Sequence, residues 1–234
     1  MTDSQSSIYR TMPVTFWALF AVCLLLVGFA FMDTIGDMVR IWNESEEYGY
    51  GYLIPVIAAF FIWQRKPELA AIDFRPSSWG LVVILAGGVL FFLGAIATTH
   101  TLSQYGLIVT IIGMALGLMG WRAFRFVAVP LLLLFFMVPL PNFLFAALST
   151  KLQLISSQLG VDVIRLFGIS VYLEGNVIDL GTYKLQVVEA WSGLRYLFPL
   201  ASLAFIAAYI FIGDFWKKAL IFLSSIPITV LMNS

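Results

Sequence analysis

The sequence predicts an all-α polytopic membrane protein of about seven transmembrane helices, with a small extracytoplasmic insertion built from an amphipathic helix and a β-meander. Three observations carry this. Hydrophobic residues make up 61% of the chain and charged residues only 11%, with a formal net charge of zero. Ordinary soluble domains are about half apolar and a quarter charged. Apolar runs recur at roughly the 20-residue length that lets a helix cross the hydrocarbon core. Tryptophans stand at several of their ends (Trp63, Trp79, Trp121 and Trp216), where amphipathic rings favour the headgroup layer.

The candidate spans are residues 14–32, 50–63, 79–97, 105–121, 126–140, 194–212 and 219–232. The first is too long for a signal-peptide core, and no small-x-small cleavage site follows it, so it reads as a retained signal anchor. The single cysteine, Cys23, lies inside it. An intrachain disulfide is therefore impossible, and a thiol in lipid is poorly ionised, so Cys23 reads as packing. The second and fifth spans are short and contain proline: Pro55 in one, Pro130 and Pro139 in the other. Glycines 87, 88, 94, 113 and 117 in the third and fourth spans point to close helix packing.

Orientation follows from the basic residues. Arg10, Arg65, Lys66, Arg75, Arg122, Arg125, Lys217 and Lys218 fall on one side, while the short loops 33–49 and 98–104 on the other side hold only Arg40. The positive-inside rule makes the first side cytoplasmic, with the N-terminus inside. The polar insertion 141–189 is then extracytoplasmic. The acidic loop 33–49 (Asp33, Asp37, Glu44, Glu46 and Glu47) reads as a solvated loop, and the lone histidine, His100, as a polar loop residue.

Within the insertion, Leu152, Ile155, Leu159, Val163 and Leu166 recur at steps of three and four, the period of an amphipathic helix over 149–167. It is expected to lie at the outer surface or to pack over the mouth of the bundle. Residues 169–173 and 177–180 flank the turn Glu174-Gly175-Asn176, and Tyr183, Leu185 and Val187 alternate with Lys184 and Gln186. This is a β-meander whose third strand leads to Glu189. The run Glu189-Ala190-Trp191-Ser192-Gly193-Leu194-Arg195 then joins strand to helix. Such a junction exposes backbone N–H groups at a helix start, suited to holding an oxyanion.

That run resembles the signature of the exosortase/archaeosortase family of membrane cysteine transpeptidases. Pro139-Leu140-Pro141, Leu152-Gln153 and Tyr172-Leu173-Glu174-Gly175-Asn176 stand before it in family order. Tyr48-Gly49-Tyr50-Gly51-Tyr52-Leu53-Ile54-Pro55 is similar to the family's second-span entrance, with Tyr50 where histidine is usual. The resemblance covers the chain from about Tyr48 onward and describes one integral membrane domain over 1–234. It implies a bacterial inner-membrane peptidase that recognises exported proteins by a C-terminal sorting signal: a short motif, a transmembrane helix and a basic tail. Such enzymes cleave and transfer those proteins at the outer face. The family's nucleophilic cysteine falls on Trp191, whose indole neither titrates nor attacks a carbonyl, so the chain is expected to be inactive or impaired.

The remaining positions take roles by the same carry-over. Gly193 lets a substrate backbone approach, with Tyr196 beside it. Arg195 holds a carbonyl or carboxylate of the substrate, or else snorkels as an interface arginine. Ser192 has no evident base, and Glu189 serves as one only if burial raises its pKa. The family's triad arginine and histidine lie downstream of a segment like Ser225-Ile226-Pro227-Ile228, so relative to the family the chain is expected to be C-terminally incomplete. Alternatives are a non-catalytic binding or scaffold protein, with Trp191 as an apolar anchor, and a component associated with polysaccharide export. The near absence of ionisable residues within the spans argues against a transport path. The sequence shows no metal-ligand cluster or phosphate loop and no basic nucleic-acid face, so no cofactor and no nucleic-acid partner are expected beside the lipid bilayer.

Overall fold

The structure is a computed structural model that describes residues 14–45, 47–186 and 194–232. The chain forms two compact units, Met1–Pro139 and Leu140–Ser234. The first contains α1 (Val14–Ala30), α2 (Met32–Glu44), a 3-10 turn (Gly49–Tyr52), α3 (Leu53–Gln64), α4 (Lys66–Ala70), α5 (Trp79–Ile96), α6 (His100–Leu133) and a second 3-10 turn (Leu134–Met137). The second contains α7 (Asn142–Leu166), strands β1 (Tyr172–Glu174), β2 (Val177–Asp179) and β3 (Lys184–Gln186), then α8 (Leu194–Ile210) and α9 (Phe215–Met232).

Among the described residues, two helices are long and apolar enough to cross a membrane: Trp79–Ile96 and the stretch His100–Met137. A third is added if Ala18–Ala30 and Met32–Glu44, bent by 73°, count as one span. That is fewer than the seven that the apolar runs suggest. The apolar helices Gly49–Gln64 and Leu197–Ile210 are shorter. The fourth and fifth runs are joined in α6, which is broken at Gly120 (φ 72, ψ 168) rather than by a loop. Arg122 and Arg125 therefore stand on helix and not in a connection. A Cβ at Gly120 would collide with the carbonyl of Arg75, and its backbone is left-handed, so glycine is required twice over.

The expected loop 33–49 is largely a helix. Phe31, Thr34, Met38 and Trp42 are buried, at spacings of three and four, so α2 presents one continuous inner face. Its acidic residues occupy the rest of the surface, which is why composition alone reads as loop.

The firmest packing in the first unit is between α5 and the first half of α6. Of α5, only Gly80, Gly87 and Gly94 are buried. They recur every seven residues, two helical turns, and so form one straight stripe. Gly80 faces Gly117, Gly87 faces Thr110, and Gly94 faces Ser103, so the two helices run antiparallel. Added Cβ atoms would sit under 3.0 Å from partner backbone at all three glycines. The large side chains of α5 point outward instead; Leu85 is 61% exposed and Phe92 67%. In lipid, large apolar groups gain nothing by leaving the hydrocarbon, so association rests on close van der Waals approach between small residues. The Ser103 hydroxyl adds a hydrogen bond to the Phe91 carbonyl (3.3 Å), and the Thr110 hydroxyl is satisfied by Gly106 within its own helix (2.8 Å).

In the second unit the expected meander forms, in the order β1-β2-β3 and antiparallel throughout. Leu173, Ile178 and Leu185 lie side by side across it. Gly175 (φ 62) and Asn176 make the two-residue hairpin between Glu174 and Val177, the connection that needs positive φ. The helix before it is longer than expected, beginning at Asn142 directly after Pro141.

Gly87→Leu should separate α5 from α6 and cost about 1–3 kcal/mol or more through overpacking. Gly88→Ala, on the same helix with nothing within 4 Å of its Cβ, should be neutral or slightly stabilising. Thermal unfolding of the two variants in one detergent measures the difference.

Candidate functional site

Glu189, Trp191, Ser192 and Gly193 lie outside the described residues. The structure does describe what flanks them: β3 ending at Gln186 and α8 beginning at Leu194. Arg195 and Tyr196 stand in the first turn of α8. The N–H groups of a first helical turn have no intrahelical acceptor. Pro199, inside α8, has no N–H to give the carbonyl of Arg195 four residues back. Pro199 therefore leaves the Arg195 carbonyl without its usual helical donor. Downstream, the Ser202 hydroxyl donates to the Pro199 carbonyl (2.8 Å) and stays within the helix.

A polar seam holds the meander on α7. The Gln153 amide is its centre: Nε2 donates to Ser149 Oγ (3.3 Å), and Oε1 accepts from Asn176 Nδ2 in the hairpin turn (3.4 Å). The Ser157 hydroxyl, fully buried, donates to the Gln153 carbonyl (2.7 Å). At the far end of α7, Arg165 donates to the Val171 carbonyl (3.3 Å). Gly160 lies under Ile178, the buried centre of the sheet.

Asp179 ties β2 to β3, the strand that leads into the signature. Its carboxylate accepts from Gly181 N–H (2.8 Å) and lies 3.2 Å from Lys184 Nζ. The Gly181 hydrogen bond first, then Lys184, hold its pKa below the ordinary aspartate value.

A second cluster lies in the first unit. Pro139 and Pro141 bring no N–H to the carbonyls three or four residues behind them, Phe136 and Met137. Side chains supply what the backbone lacks: Tyr50 OH donates to the Phe136 carbonyl (3.1 Å) and Trp42 Nε1 to that of Met137 (2.9 Å). The indole of Trp42 also lies over Gly51, where a Cβ would strike the ring, and meets Tyr52 edge-on at 4.9 Å. The tyrosine-glycine run thus has a structural use: it secures the end of the long helical stretch.

His100 opens α6 and is not an isolated loop residue. Its Nδ1 lies 2.7 Å from Asp37 Oδ2 on α2, while Asp37 Oδ1 accepts from Arg40 (2.9 Å). Sequence reasoning missed this pairing and the roles of Trp42 and Asp37; the spacing Thr34, Met38, Trp42 was the signal available for α2. Among the described residues, no group of three His, Cys, Asp or Glu is placed to hold a metal ion.

The family model for transmembrane exosortases matches residues 42–234, from Trp42 through the entire signature. No curated protein and no solved structure matches the chain.

Trp42→Phe should leave the Met137 carbonyl buried without its donor, at a cost of about 1–3 kcal/mol in unfolding measurements. Because the Asp179 pKa is lowered on folding, its contribution is present above the ordinary carboxylate range and is lost as pH falls through that range and below. Hydrogen exchange in β2 and β3 should therefore quicken below about pH 4, and Asp179→Asn should flatten that dependence.

Proposed function

The chain belongs to the transmembrane exosortase family, and from that membership we propose that it engages exported proteins carrying a C-terminal sorting signal at the outer face of a bacterial inner membrane, without cleaving them. The observation that carries the reading is Trp191, which stands where the family signature has its nucleophilic cysteine. An indole carbon or N–H cannot form the acyl-enzyme that transpeptidation passes through. The rest of the signature is retained: Gly193 for close approach of a substrate backbone, and Arg195 with Tyr196 at the start of α8. Those groups bind a peptide carbonyl or carboxylate as well without a thiolate as with one.

The topology that goes with this reading has about seven membrane-crossing segments, the N-terminus in the cytoplasm and the α7–meander insertion outside. The excess of Lys and Arg at one set of apolar-run ends supports that orientation. A sorting signal's transmembrane helix would then run alongside the bundle, with its short motif at the level of the α8 start and its basic tail left on the cytoplasmic side. Ser192 is not a replacement nucleophile, since no base is evident for it.

The experiment is a tagged membrane reporter ending in a sorting signal, expressed with the chain or its variants. The Trp191 protein should leave the reporter uncut, and Trp191→Cys should give a signal-dependent, hydroxylamine-sensitive thioester adduct. Cutting by the Trp191 protein, retained in Trp191→Ala, would overturn the non-cleaving reading. A folded, inserted Trp191→Cys protein that forms no adduct, in a chain extended to carry the family's triad arginine and histidine, would remove position 191 from the nucleophile's place. Crosslinking from position 191 reads binding apart from cleavage: capture should require the signal on the reporter.

A further inference from the structure

We propose that α7 is an in-plane interfacial helix whose exposed apolar stripe is seated in the outer leaflet, at the boundary between headgroups and acyl chains. The inference is independent of whether the signature is catalytic.

α7 has three faces, and the structure accounts for one of them. Ser149, Ser156, Ser157, Gly160 and Val161 form its buried face, four of the five small and the last apolar, and the meander rests there through Ile178, Asn176 and the Gln153 amide. The apolar periodicity of the sequence lies elsewhere on the helix. Ile155 is 49% exposed, Val163 52% and Leu166 85%, with Leu159 between them also open. At 100° per residue these four fall within about 80° of one another, a single stripe beside the packed face and not part of it. The arrangement reverses the usual one, in which the apolar face of an amphipathic helix meets the protein.

Two observations select a lipid surface as the occupant. The edge of the stripe away from the meander carries Lys151, Gln158, Asp162 and Arg165, all exposed. Cations flanking an apolar stripe suit anionic headgroups above an acyl layer. Finally, the stripe continues past the helix as exposed Phe167 and Ile169, followed by Tyr172 at the start of the sheet. Aromatic side chains at that border favour the headgroup level. α7 is 25 residues long, but among the described helices it does not have the apolar composition of a span. An orientation in the membrane plane satisfies its stripe and leaves its charges wet.

This seat has a consequence for the signature. With the stripe in the leaflet and the meander on the neighbouring face, the sheet that precedes the signature in sequence is held low over the membrane.

The test is site-directed fluorescence on a Cys23→Ser background, reconstituted in vesicles of mixed phosphatidylcholine and phosphatidylglycerol. Single cysteines at Ile155, Leu159 and Val163 report the stripe; those at Lys151 and Gln158 report its polar edge. Each carries an environment-sensitive dye and is read against lipid-bound nitroxides of graded depth and against aqueous iodide, with monodisperse elution in detergent as the check of folding. The expected result is blue-shifted emission and a common shallow depth at all three stripe positions, with several-fold stronger iodide quenching at the two edge positions. Iodide access at all five positions would overturn the proposal, as would depth that runs steadily across the bilayer from 155 to 163. Shielding of the stripe from both quenchers would also overturn it, since another protein surface would then cover it; a change in that shielding on dilution with unlabelled lipid would identify a second copy.

Discussion

A helix that stops inside apolar surroundings must give its freed backbone groups new partners, and the first unit is arranged around that requirement. Water is not there to accept an N–H or to donate to a carbonyl, and each unmatched group costs several kcal/mol. The chain breaks regular helix at Gly120 and before Pro139. Each break is closed by something specific. Trp42 and Tyr50 reach the carbonyls of Met137 and Phe136 from residues 95 and 86 positions away in sequence. At the break in α6, Ser77 N–H donates to the Gly117 carbonyl (3.1 Å), while Gly120 clears the carbonyl of Arg75. Irregular backbone is tolerated here because the surrounding protein has taken over the role of solvent.

The glycine stripe of α5 works with these closures. Helices in lipid are not driven together by apolar burial, so what holds α5 to α6 is the distance of approach that Gly80, Gly87 and Gly94 allow. That close contact keeps the preceding connection over Gly120 and the Thr98–Thr99 turn beside Gly94, where Thr99 N–H donates to the Gly94 carbonyl (2.9 Å). His100 then opens α6 within reach of Asp37, and α2 is drawn against the bundle with Trp42 on its buried face. The aromatic and proline positions that resemble the family's motifs are thus parts of one packing problem: where the helix ends, and what meets its carbonyls.

Much of this was legible in the sequence where a single period governed a segment. The run 79–97 differs from the observed α5 by one residue, and the meander formed from the alternation at 183–187 and the Gly175-Asn176 turn. Legibility failed where two periods competed. In α2, acidic residues on the outer surface masked the buried spacing Phe31, Thr34, Met38, Trp42, because composition averages over faces that a helix keeps apart. In α6, the two apolar runs are two helical halves as expected, but what divides them is a single glycine of positive φ and not a connecting loop at Arg122 and Arg125. In α7 the apolar period marks the exposed stripe, while the packing against the meander falls to small residues, which hydropathy hardly registers. The pairing of His100 with Asp37 spans 63 positions in sequence and has no local signal. Of the signature, Leu194 and Arg195 have a structural place, in the first turn of α8.

The same distinction between packing and chemistry bears on the signature itself. In an enzyme of this kind the start of α8 would have two uses: its free N–H groups and helix dipole stabilise a thiolate, and they receive the oxyanion that forms when the thiolate attacks. Trp191 on the proposed function removes the first use and leaves the second without a source, since no acyl intermediate develops. On that proposal, what persists is a helix start with an arginine one residue in, a place that favours a carboxylate or carbonyl oxygen whether or not a bond is broken. An indole in the signature would add an apolar, rigid surface with one N–H, the combination that anchors peptides at binding interfaces. Loss of the sulfur would then leave the rest of the site's physical chemistry in place: residues able to stabilise a transition state would instead hold a ground state, and a protein so altered would retain its substrate instead of turning it over.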